Sequence, residues 1–87
     1  MIQLEGAVIK EQGQTFAIVI VKQNVLNSSE KDEARSVYSN YFPGIPIILM
    51  AQDSRKVPTY YGRPDIVRFL SKLSISQIPW KKYTFNN

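Results

Sequence analysis

The side chains best suited to chemistry in this chain are cations and aromatic rings that alternate in two short stretches. Arg55, Lys56, Tyr60, Tyr61 and Arg63 surround one apolar segment, and Trp80, Lys81, Lys82 and Tyr83 follow one another near the end. Positive charge interleaved with flat rings suits phosphate pairing and base stacking, and it equally suits a protein contact in which the rings are anchors. The charge is uneven along the chain. Residues 1–44 carry four basic and five acidic side chains, residues 45–87 seven basic and two acidic, for a net charge of +4. Two plainer roles compete with recognition: the Lys and Arg side chains can be solvated faces, and Trp80 and Tyr83 can cap the core. A nucleic-acid footprint further requires the cations to converge on one face.

Other chemistry has few candidates. There is no histidine, the usual general base and metal ligand, and no cysteine, which removes disulfides, thiolate nucleophiles and sulfur-ligated metals. Asp53 has a sufficient structural task in a turn and Asp65 at a helix start, while Glu30, Asp32 and Glu33 suit the first turn of another helix. No glycine-rich phosphate loop, nucleophile elbow or metal-ligand spacing occurs. No catalytic residue, cofactor or metal site is therefore expected, and neither is enzyme activity.

Those residues need elements to hold them. Ile2, Leu4 and Val8 fall at period two with Gly6 in register, a strand with room for a bulge at the glycine. After the break Glu11-Gln12-Gly13-Gln14 comes Phe16 to Val21, apolar on both faces and rich in β-branched residues, so the two segments form a hairpin whose second strand lies inside the sheet. Asn27-Ser28-Ser29-Glu30 carries the pattern of a capping box. Ala34, Val37, Tyr38 and Tyr41 then make one helical stripe, with Lys31, Arg35, Ser36, Ser39 and Asn40 facing outward and Pro43-Gly44 ending the helix. Ile45 to Ala51 is a second interior strand, Gln52 to Lys56 a polar turn, and Val57 to Tyr61 a strand that Pro58 consigns to an edge. Pro64 opens a second helix whose stripe is Ile66, Phe69, Leu70 and Leu73. Ile75, Ile78, Trp80, Tyr83 and Phe85 are too apolar for a free tail, and Lys81, Tyr83 and Phe85 alternate as a short final strand would.

A chain of 87 residues forms one domain, residues 1–87, that hides only about 60 to 65% of its unfolded surface. The expected fold is α+β: a mixed sheet of about four strands in sequence order ββαββα, two helices, and a short C-terminal strand if the tail pairs. The helix between the two interior strands makes them parallel through a right-handed crossover.

Ile45-Pro46, an apolar strand, a polar turn, a second strand, Gly62 and a helix together resemble the last third of a thioredoxin-like domain. The resemblance implies a cis proline at the head of the strand, and a cis Ile45-Pro46 bond would shape a peptide-binding edge. X-Pro bonds are trans in the great majority of folded cases, and a trans proline starting a strand after a turn is the ordinary alternative. The family's Cys-x-x-Cys pair is absent, so redox activity does not carry over. The N-terminal hairpin also departs from the family pattern, and a ferredoxin-like or other α/β sandwich competes.

The expected function is that of a small non-catalytic binding or accessory protein acting through protein–protein contacts: the edge strand Val57 to Tyr61 accepts a partner strand or pairs with its own copy, with Tyr60 and Tyr61 as anchors, although Pro58 blunts that edge. Nucleic-acid binding by the basic second half is the alternative. The Met1-Ile2-Gln3-Leu4-Glu5 start and the lack of any apolar run near the roughly 20 residues of a membrane span lead to the expectation of a cytoplasmic chain with no membrane partner.

Overall fold

The computed structural model describes residues 1–11 and 13–86. Five strands, β1 (Ile2–Glu11), β2 (Gln14–Ile20), β3 (Ile47–Gln52), β4 (Pro58–Tyr61) and β5 (Lys81–Phe85), form one mixed sheet in the order β4-β3-β2-β1-β5. Three helices, α1 (Gln23–Leu26), α2 (Lys31–Ser39) and α3 (Pro64–Leu70), and a 3₁₀ turn at Ile75–Gln77 complete the fold.

β2 and β3 pair in parallel, Ala17 beside Ile47 and Ile20 beside Met50, as a helical crossover requires; the remaining ladders are antiparallel. The period-two alternation then sorts the core into two layers. Ala17, Val19, Ile47, Leu49 and Ala51 face one side with Leu4, Leu26 and Phe42, and Ala34, Tyr38 and Tyr41 of the α2 segment pack onto them. Phe16, Ile18, Ile48 and Met50 face the other with Ala7, Ile78 and the α3 residues Ile66 and Leu70. The helices thus lie on opposite faces, three layers in all. Burial on both faces is why β2 and β3 are apolar without a break.

Several expectations need correction. The sheet has five strands where about four were expected, the fifth being the short C-terminal strand that the alternation of Lys81, Tyr83 and Phe85 foreshadows, and the described residues form three helices, because Gln23–Leu26 winds one helical turn that seats Leu26 in the core. Asn27 therefore closes α1 instead of opening the next helix, its N–H bonding back to the carbonyl of Gln23. Ser28 accepts from the N–H of Glu30 at 3.0 Å, and α2 begins only at Lys31. α2 is also rolled about its axis. Val37 is 49% exposed, while Arg35, expected in solvent, turns inward and donates through Nε to the carbonyl of Ile47 at 3.1 Å.

Gly6 is not a bulge: it stays in register with both Val19 and Lys81, and a side chain there would collide with the Ile18 carbonyl. The bond before Pro46 is trans, as are all described peptide bonds, so the peptide-binding edge that a cis bond would shape does not exist. Among the described residues no helix is long and apolar enough to cross a membrane.

Candidate functional site

The sheet order divides the nine basic and aromatic candidates between two opposite edges. Arg55, Lys56, Tyr60 and Tyr61 lie along or beside β4 at one end of the sheet, with Arg63 just after it and reaching inward to the Gln14 side-chain oxygen of β2 at 3.5 Å; Trp80, Lys81, Lys82 and Tyr83 lead into and along β5 at the other end.

On the β4 side the groups are largely engaged within the fold. Arg55 and Lys56 form the exposed tip of the turn between β3 and β4, where the Asp53 carboxylate accepts from the N–H of Arg55 at 2.8 Å and of Val57 at 2.9 Å. That closure drives Lys56 to φ 64°, left-handed backbone that side chains other than glycine seldom adopt. Tyr60 and Tyr61 point to opposite faces, as neighbours on a strand must. The Tyr60 hydroxyl is buried without a partner among the described residues, and burial pushes its phenol up from the ordinary value.

Tyr61 reaches across the sheet face to α2. Its hydroxyl donates to Asp32 Oδ1 at 2.6 Å, with Lys31 Nζ 4.4 Å and the Arg35 guanidinium carbon 5.5 Å from the centre of its ring. The Tyr61 hydrogen bond, joined by Arg35, holds the Asp32 carboxyl below its ordinary range; the same bond raises the Tyr61 phenol. Arg63 grips Asp65 with two bonds, at 2.6 and 3.1 Å, and lowers that carboxyl as well. The tie from Asp32, Lys31 and Arg35 to Tyr61 escaped sequence reading. Its donor and acceptor lie 29 positions apart, and only the packing of α2 on the sheet face joins them.

β5 is differently built. Trp80, just before it, is tucked under the sheet, its indole N–H donating to the Ile75 carbonyl at 3.0 Å and its ring packed on the α3-side layer. Along β5 the side chains alternate. Lys81, Tyr83 and Phe85 share the α2-side face, where Tyr83 and Phe85 set their rings edge-on to Phe42 at 5.3 and 5.7 Å and Phe85 also meets Tyr41 at 5.0 Å. Lys81 Nζ stands 4.8 Å from the centre of the Tyr83 ring. Lys82 and Thr84 occupy the other face and are exposed, beside Glu5 and Gln3 of β1.

Among the described residues no strand lies on the far side of β5 and no backbone hydrogen bond links β5 to anything but β1. β5 therefore presents an open row of main-chain donors and acceptors on a strand locked by four aromatic rings. β4 also ends the sheet, but it is one residue shorter and starts at Pro58, which has no N–H to offer.

Surface depressions also take in polar groups away from β5. One, of about 270 Å³, is lined by Glu11, Gln14, Phe16, Asp65, Ile66 and Phe69; another, of about 330 Å³, includes Asp32, Arg35, Ser36 and Pro46. Asp65 in the first is bound to Arg63, and Asp32 and Arg35 in the second are bound to each other and to Tyr61 and Ile47. Among the described residues no three acidic side chains converge as metal ligands. Compared with known proteins, the chain matches no family model, no curated protein and no solved structure.

Proposed function

We propose that this chain is a non-catalytic protein-binding module that recognises an extended segment by adding it to the sheet at β5. One observation carries the reading: β5 is a terminal strand of five residues without proline, paired on one side only, while the opposite edge opens on Pro58. An unpaired edge of this kind is a template for another strand, and most proteins blunt such edges with bulges, proline or cover. In strand addition the main chain supplies affinity and alternate side chains supply selectivity. On β5 the alternate positions offer a lysine beside aromatic rings on one face and Lys82 with Thr84 on the other.

Nucleic-acid binding has less support. The seven cations of the second half do not share an edge, and Trp80 and Tyr83, the rings nearest Lys81 and Lys82, pack into the protein instead of standing free for stacking. A cytoplasmic setting is part of the proposal; a tagged chain recovered with membranes or in the medium would count against it.

The test is a selection from a library of extended peptides, followed by titration of the best binder while backbone amide shifts are followed. Shifts concentrated on β5 and β1 are expected. A binder that moves β4 or the exposed face of α2 instead would overturn the reading.

A further inference from the structure

Resting on β5 as the docking edge, we infer that its occupant is β5 of a second copy, paired antiparallel about a twofold axis through Tyr83. The inference follows from the order of five side chains. When β5 pairs antiparallel with itself on a continuous sheet, only the register centred on Tyr83 pairs all five residues. It sets Lys81 opposite Phe85 of the second copy, Lys82 opposite Thr84, and Tyr83 opposite its own counterpart. No lysine then faces a lysine, and like charges directly opposite are what destabilise such ladders. The register centred on Lys82 would oppose two ammonium groups on the axis.

Both faces of the junction are complementary. On the α2 side, Leu4 and Tyr83 of one copy meet Tyr83 and Leu4 of the other, so the aromatic cluster with Phe42 and Phe85 becomes continuous across the axis. Each Lys81, already within cation–π reach of its own Tyr83 at 4.8 Å, lies beside a second ring in Phe85 of the second copy. On the other face Glu5, Lys82, Thr84 and Gln3 line up in a row from one β1 to the other, with no like charges directly opposite; the two Lys82 side chains are set apart on the diagonal. The contact is isologous and closes on itself, leaving one ten-stranded sheet bounded by two β4 edges that begin at Pro58.

Lys82 and Thr84 are exposed in the single chain, so position 84 can be changed without touching the core. Light scattering over a range of concentrations should show the mass rising from 10.0 kDa to twice that value. Thr84→Glu sets a carboxylate opposite Lys82 of the second copy and should tighten the dimer; Thr84→Lys sets two ammonium groups opposite each other and should loosen it, by about threefold to tenfold each way. A mass that stays at 10.0 kDa at every concentration, or a dimer indifferent to both substitutions, overturns the inference. If the chain stays single while a selected peptide still shifts the β5 amides, self-pairing alone falls. If no peptide engages β5 either, the docking edge falls with it.

Discussion

Lys56 holds left-handed backbone at φ 64° with no glycine to make it easy, because Asp53 closes the turn around it with two side-chain bonds. Left-handed backbone costs an ordinary residue about 1–2 kcal/mol, and glycine's extra freedom in the unfolded chain takes back part of the gain. Lys56→Gly should therefore stabilise the protein by about 0.5–1 kcal/mol, read from the denaturant midpoint. Gly6→Ala should do the reverse. A methyl group there meets the Ile18 carbonyl inside the sheet, an overpacking expected to cost about 2–3 kcal/mol. The Asp32–Tyr61 bond predicts a pH response at each end of the scale. Asp32, whose carboxyl is lowered from 3.8, contributes stability that is present above that value and lost as pH falls through the folded pKa. Tyr61, whose phenol is raised from 10.0, contributes stability that is present below that value and lost as pH rises through the folded pKa. In an NMR titration, Tyr61→Phe should bring the Asp32 carboxyl back up toward 3.8; an unmoved titration would mean the bond does not form in solution.

Among the elements, those decided by periodicity were legible in the sequence and those decided by distant partners were not. Phe16 to Val21 and Ile45 to Ala51 announce interior strands by apolar runs with β-branched residues, and their parallel pairing follows from the helix between them. Pro64 and the stripe Ile66, Phe69, Leu70 likewise announce α3. The roll of α2 had no local sign, since Ala34, Val37 and Tyr38 fit a stripe equally well before Arg35 finds the Ile47 carbonyl. α1 hid because four residues make too short a window for a helical period. β5 could be read as an alternation, but its place next to β1 depends on Phe42 and Tyr41, carried in by the far end of α2. That dependence is testable. Phe42→Ala removes a buried ring from both β5 aromatics and should cost about 3–5 kcal/mol, with β5 amides losing protection from hydrogen exchange before those of β2 and β3.

At the scale of the whole molecule, the sheet order is what turns a list of cations and rings into two separate edges with different chemistry. The sequence could name the nine candidates, because charge and aromaticity are visible in it. It could not say that β4 and β5 lie at opposite ends of the sheet, because that depends on pairing between segments dozens of residues apart. Separation of the basic groups predicts no retention of single-stranded DNA or RNA in a gel-shift assay at low salt, where phosphate contacts are strongest. The most direct test of β5 as the docking edge is amide hydrogen exchange with and without a saturating selected peptide, at a concentration low enough for light scattering to show single chains. Slower exchange confined to the β5 edge, with β4 unchanged, is the expected result; unchanged exchange in β5, or slowing at β4 in its place, would contradict it.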